Sequence, residues 1–144
     1  MRVDQLRVAN VAGSPVVRSL GKGFLTGTIT AATNFEAGND IRTTIPRFEP
    51  EAREHNQGIV DVLTTVARRH QATPGHVALA WLLAQRPWIV PIPGTRKPRR
   101  FEENTAAADL DLSDADLREL HDAVSAITVQ GGRYSDAAER MTNL

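Results

Sequence analysis

Four cations crowd one helix start in this chain. Arg96, Lys97, Arg99 and Arg100 flank Pro98, just after a break at Pro93-Gly94-Thr95. Proline is favoured at the first helical position, so the spacing predicts a helix beginning near Lys97-Pro98. A helix N-terminus already carries about half a positive charge, and folding alone would place Asp or Glu there. Four cations beside free backbone N–H groups suit an anion, and phosphate is the usual one. The plainer alternative is a set of solvated surface arginines tolerated at small cost. Nucleic-acid phosphate is a third reading, disfavoured by a net charge of zero and a lack of interleaved aromatics.

Other chemistry is thinly supported. Gly21-Lys22-Gly23, inside the run Leu20 to Gly27, could cradle a phosphate, but its spacing is not G-x-G-x-x-G, and alone it reads as a turn. His55, His70, His76 and His121 are each isolated on or beside a helix and read as ordinary helix-surface histidines; no H-E-x-x-H pair is present, and no metal site is expected. Asp109, Asp111, Asp114 and Asp116 form an acidic run in which Ser113 and Asp116 read as a capping pair. There is no G-x-S-x-G. The absence of cysteine excludes a disulfide framework, a thiol nucleophile and a thiolate-ligated metal.

The elements that must position these residues are read from periodicity and capping. At 144 residues the chain is one domain in size, long enough to bury a core. Residues Val3, Leu6 and Val8 could begin a strand or a helix, Gly13-Ser14-Pro15 reads as a turn, and Val16-Val17 starts a short β-prone piece. Thr28 to Pro50 reads as a long loop. Pro50 to His70 is expected to be a helix, with Ile59, Val62, Leu63, Val66 and Ala67 as its apolar stripe. A second helix starts with Thr73 as cap and Pro74 at its first position, and is apolar on nearly every side, hence buried. Trp88-Ile89-Val90-Pro91-Ile92 has the composition of a buried strand. The helix after the basic cluster should end near Ala107, and Ser113 caps a last amphipathic helix with Leu117, Leu120, Val124 and Ile127 on one face. Gly131-Gly132 opens a polar tail. Strands alternating with helices mean an α/β fold with a parallel sheet, yet two credible strands do not make a stable sheet.

The spacing within this stretch resembles the aldo-keto reductases, NADPH-dependent carbonyl reductases on a TIM barrel. Their last strand–loop–helix reads I-P-x-S/T-x-x-x-x-R-x-x-E-N; here Ile92-Pro93-Gly94-Thr95 is followed by Arg100 and Glu103-Asn104. Leu20-Gly21-Lys22-Gly23-Phe24-Leu25-Thr26-Gly27 looks like the loop after the seventh barrel strand in bacterial members, Leu79-Ala80-Trp81-Leu82-Leu83 resembles the penultimate barrel helix, and Gly131-Gly132-Arg133-Tyr134 resembles a G-x-R-Y of one bacterial branch. The resemblance implies the C-terminal portion of a (β/α)8 barrel, about its last two strand–helix units plus a C-terminal helix, over residues 19–144. Residues 1–18 stand as a divergent segment: Val17 and Arg18-Ser19 occupy positions where the family has a nicotinamide-stacking tyrosine and Ser-Pro.

The functional expectations are carried by the resemblance. Leu20, Gly21 and Gly23 would lie along the pyrophosphate of NADP(H), with Pro93 and Gly94 in the second loop. Thr95 and Arg100 would hold the 2′-phosphate, with Arg96 as an added partner by charge, and Glu103 and Asn104 would contact adenine. The family's catalytic Asp, Tyr, Lys and His match no position here; the single tyrosine, Tyr134, lies in the tail, so no catalytic residue is assigned. The expectation is a truncated, mis-started or split product, inactive on carbonyl substrates unless complemented, or a non-catalytic NADP(H)-binding module. The unpaired strand edges predict self-association. No apolar run of transmembrane length exists, no membrane or nucleic-acid partner is expected, and a cytoplasmic location is the default.

Overall fold

The computed structural model describes residues 9–11, 14–17, 19–135 and 140, with side chains from residue 19 onward. The expected start at Val3, Leu6 and Val8, and Gly13 of the expected turn, lie outside the described residues. Strands β1 (Ala9–Val11), β2 (Ser14–Val17) and β3 (Val90–Pro91) form one sheet in that order. β1 pairs antiparallel with β2, so Ser14 and Pro15 belong to a strand and not to a turn. β2 pairs parallel with β3, Val16 opposite Val90 and Val17 opposite Pro91. A parallel pair needs a long crossover, and here it contains helices α1 (Pro50–Arg69) and α2 (Pro74–Gln85). Helices α3 (Pro98–Ala106) and α4 (Asp114–Ala126) come after β3.

The helix boundaries obey local chemistry. Pro50, Pro74 and Pro98 each stand in the first helical turn, where the missing N–H costs nothing. Thr73 Oγ1 accepts the His76 N–H at 3.3 Å, and Ser113 Oγ accepts the Asp116 N–H at 3.2 Å, each completing a capping box. The central core joins Leu63, Val66 and Ala67 of α1 to Val77, Ala78 and Ala80 of α2 and Leu120 of α4. α2 is buried through Leu82, but Leu83 is 39% exposed, so it is covered on fewer sides than its composition indicated.

The segment from Trp88 to Ile92 departs most from expectation. Only Ile89 is buried, at 7% exposure, against Trp81 and Leu82; Trp88, Val90 and Ile92 are 54%, 49% and 48% exposed. Alternate strand residues point to opposite faces. One face lies on α2, and the residues of the other are about half exposed. The sheet also holds a third strand, β1, that composition did not indicate, and its mixed pairing corrects the purely parallel expectation.

The stretch between Thr28 and Pro50 is a connection, but it is packed. It contains 3₁₀ turns at Ile41–Thr44 and Pro46–Phe48 and buries Ile29, Ile45 and Phe48 with Phe24 and Val60. Arg53, buried on α1, donates through Nη1 to the carbonyls of Thr30 and Thr33, each at 2.6 Å. The tail is docked as well: Asn56 Nδ2 donates to the Gln130 carbonyl and Oδ1 accepts the Gln130 N–H, both at 2.9 Å.

His70 and Asp116 correct the surface reading of the histidines. Buried Asp116 accepts from His70 Nε2 at 2.9 Å, from Arg69 Nη1 at 2.8 Å and from the Ser113 hydroxyl at 2.5 Å. The Ser113 hydroxyl, then His70, hold its carboxyl below the ordinary range against the opposing effect of burial.

Candidate functional site

Parallel strands place the loops that follow them at one end of the sheet, where α/β folds build sites. β2 ends at Val17 and β3 at Pro91, opposite one another. The first of the two loops carries the glycines and the second the basic cluster.

The glycine loop is a tight 3₁₀ segment, Gly21–Thr26. Gly21, Lys22 and Gly23 have φ of 54°, 55° and 94°, three successive left-handed residues of which only Lys22 bears a Cβ. The Leu20 carbonyl accepts the N–H groups of Gly23 (2.9 Å) and Leu25 (3.3 Å), and Thr26 Oγ1 donates to the Gly23 carbonyl at 2.7 Å. Leu20 is half-buried and Gly21 is exposed.

In the second loop, Gly94, Thr95, Arg96, Lys97 and Arg99 are exposed, while Pro93 and Arg100 are half-buried. The space around Gly94 is open to 4 Å. Thr95 Oγ1 accepts the Lys97 N–H at 3.1 Å. No side chain caps the first turn of α3, and that turn holds no acidic residue. Among the described residues no carboxylate lies within ion-pair distance of Arg96, Lys97 or Arg99. Arg100 pairs through Nη1 with Glu103, at 2.9 and 3.1 Å. A guanidinium has five N–H donors, and this pair engages one of its three nitrogens. Asn104 is half-buried one residue further on.

The first turn of α2 connects the two loops. Thr73 Oγ1 donates to Glu103 Oε1 at 2.8 Å, which fixes α3 against the cap of α2. A Cβ placed on Gly75 would meet Leu20 Cδ2 at 4.0 Å and Thr26 Cγ2 at 3.8 Å, so the glycine loop rests on the same turn. Thr73 thus joins the candidate residues, though the sequence marked it only as a helix cap; its partner is thirty positions away, and no local pattern signals that. Among the described residues no group of three or more His, Asp or Glu side chains is arranged to hold a metal, and no helix is long and apolar enough to cross a membrane.

Two strand–loop–helix units lie side by side, with a glycine loop and an uncapped cationic helix start at one end of the sheet. Residues 8–125 match the Aldo/keto reductase family. The chain is 40% identical over 119 residues to "Aldo-keto reductase yakc [NADP(+)]" of Schizosaccharomyces pombe, covering 83% of this chain and 35% of that protein. It is 37% identical over 123 residues to "Probable aldo-keto reductase 1" of Glycine max, covering 85% and 35%. It is 38% identical over 129 residues to "Aldo-keto reductase str7" of Strobilurus tenacellus, covering 90% and 37%. This chain belongs to the aldo/keto reductase family, whose fold is the TIM barrel. It spans a little over a third of the length of these relatives.

Proposed function

We propose that residues 19–144 are the last two strand–helix units and C-terminal helix of a (β/α)8 barrel, and that they carry the adenosine-phosphate half of an NADP(H) site. The supporting observation is the start of α3: a turn without side-chain cap or acidic residue, bordered by four cations, beside Thr95 and beyond the end of β3. That donor set fits a phosphate. Thr95 Oγ1, Arg96 and Arg100 would hold the 2′-phosphate, and Glu103 and Asn104 would border the adenine. The Glu103 carboxylate also orients Arg100, and Thr73 in turn orients Glu103. Leu20, Gly21 and Gly23 would flank the pyrophosphate, with the Pro93-Gly94 turn, free of a Cβ at its second residue, giving close backbone approach.

When bound, the nicotinamide supplies the hydride for reduction of an aldehyde or ketone. The residues of this chain bind and orient; none matches the family's proton-donating tyrosine or its partners. Carbonyl reduction therefore depends on residues supplied from outside these 144. The alternative, a non-catalytic NADP(H)-binding module, is favoured by the same lack of a match and shares the same phosphate site.

Substitution of the arginines tests the assignment. A hydrogen bond to a charged group contributes about 1.5–3 kcal/mol, so Arg100→Ala should weaken NADPH about tenfold or more while leaving NADH unchanged, and Arg96→Ala should do the same to a smaller extent. Equal loss for both nucleotides would remove the 2′-phosphate from this position.

A further inference from the structure

A cavity of about 190 Å³ lies between the Gly21–Thr26 turn, α1, α2 and α4, away from the start of α3. Its walls are mainly apolar, with Phe24, Ile59, Leu82 and Val124 among them. A chamber of about 150 Å³ lined by such side chains accommodates benzene. Among the described residues of the lining, the charged ones are all positive: Lys22, Arg47 and Arg133. Lys22 Nζ lies 4.8 Å and Arg133 Cζ 5.9 Å from the centre of the Tyr134 ring, and Arg47 reaches the same segment, at the Gly131 carbonyl. Among the described residues no carboxylate is within ion-pair distance of Arg47 or Arg133.

We propose that this cavity binds a small organic carboxylate, its aromatic or short aliphatic body in the apolar chamber and its anion held by Arg47 and Arg133. Arg47 Nε donates to the Gly131 carbonyl at 3.2 Å, which aligns the guanidinium and leaves its terminal nitrogens for the ligand. Burial, then the nearby Arg133, lowers the Arg47 pKa from its ordinary value. Trp81 adds a polar handle: it lines the cavity, and its indole N–H is buried with no acceptor among the described residues. Gly21 is the one lining residue shared with the proposed NADP(H) contacts, so the two readings stand or fall separately.

The test uses the whole chain carrying Trp88→Phe, which leaves Trp81 as the sole indole of the two present. Trp81 fluorescence is followed during titration with benzoate and with benzyl alcohol. Benzoate should give a saturable change, with benzyl alcohol at least tenfold weaker. Arg133→Gln should weaken benzoate roughly tenfold, the scale of one charge-assisted contact, without altering benzyl alcohol. Val124→Phe, which fills the chamber, should abolish the response, and Arg100→Ala should leave it intact. A cooperatively melting chain without a saturable benzoate response would overturn the proposal. So would equal affinity for the two probes together with indifference to Arg133→Gln, or a folded Val124→Phe variant with unchanged affinity.

Discussion

Replacing Asp116 with Ala removes one of the polar contacts that tie α4 to the end of α1, another being Arg69 with Glu119. The side chain is 6% exposed and accepts from four donors: the Ser113 N–H (3.1 Å), the Ser113 hydroxyl (2.5 Å), His70 Nε2 (2.9 Å) and Arg69 Nη1 (2.8 Å). The lost capping box costs about 1 kcal/mol, and the bond to His70 about 1–1.5 kcal/mol. Arg69 is largely solvated and keeps Glu119 at 2.5 Å, so its pair with Asp116 is assigned nothing further. The total is about 2–2.5 kcal/mol, which for a chain of this size lowers the Tm by roughly 7–8 °C. The loss depends on pH in a definite direction. The carboxyl pKa is depressed on folding, so its contribution is present above the unfolded value near 3.9 and disappears as pH falls through the lower folded value. Thermal melts of the natural chain and Asp116→Ala from pH 7 to pH 2.5 should show a constant gap down to about pH 5 that closes below pH 4. A gap of the same size at pH 2.5, or none at pH 7, would refute this account of the network.

The packing gives two further expected outcomes. Gly131→Ala should destabilise the chain by about 1–3 kcal/mol and expose the tail to limited proteolysis, because Gly131 has φ of 81° and an added Cβ would lie 2.5 Å from Arg47 Cα; unchanged melting and cleavage would contradict the docked position. The exposed face of β3 should drive association, so the chain should sediment with a concentration-dependent mass that Trp88→Lys with Val90→Lys reduces. A monomer at all concentrations would count against it.

The helices were legible because their signals are local. Pro50, Thr73-Pro74, Pro98 and Ser113 mark starts within one turn, and the α1 and α4 stripes are set by the spacing of Leu63, Val66 and Leu120. The features that escaped depend on distant partners. Trp88, Val90 and Ile92 have the composition of buried strand residues, but burial requires a second layer, and composition cannot say whether one is present. Arg53 reads as a surface charge until the carbonyls of Thr30 and Thr33 are brought to it. Asn56 gives no hint that it holds Gln130, and Asp116 reads as half of a capping pair until Arg69 and His70 are placed beside it. At the candidate site, Thr95, Arg100, Glu103 and Asn104 are singled out only by the family resemblance, and nothing local in the sequence signals the bond from Thr73 to Glu103.

The start of α3 is proposed to hold the 2′-phosphate of NADP(H). The most direct test is the ratio of dissociation constants for NADPH and NADH, measured calorimetrically on the unaltered chain at one salt concentration. The two nucleotides differ only in that phosphate, so a site built from Thr95, Arg96 and Arg100 predicts NADPH bound at least tenfold more tightly. Equal affinities, or no binding of either, would contradict it.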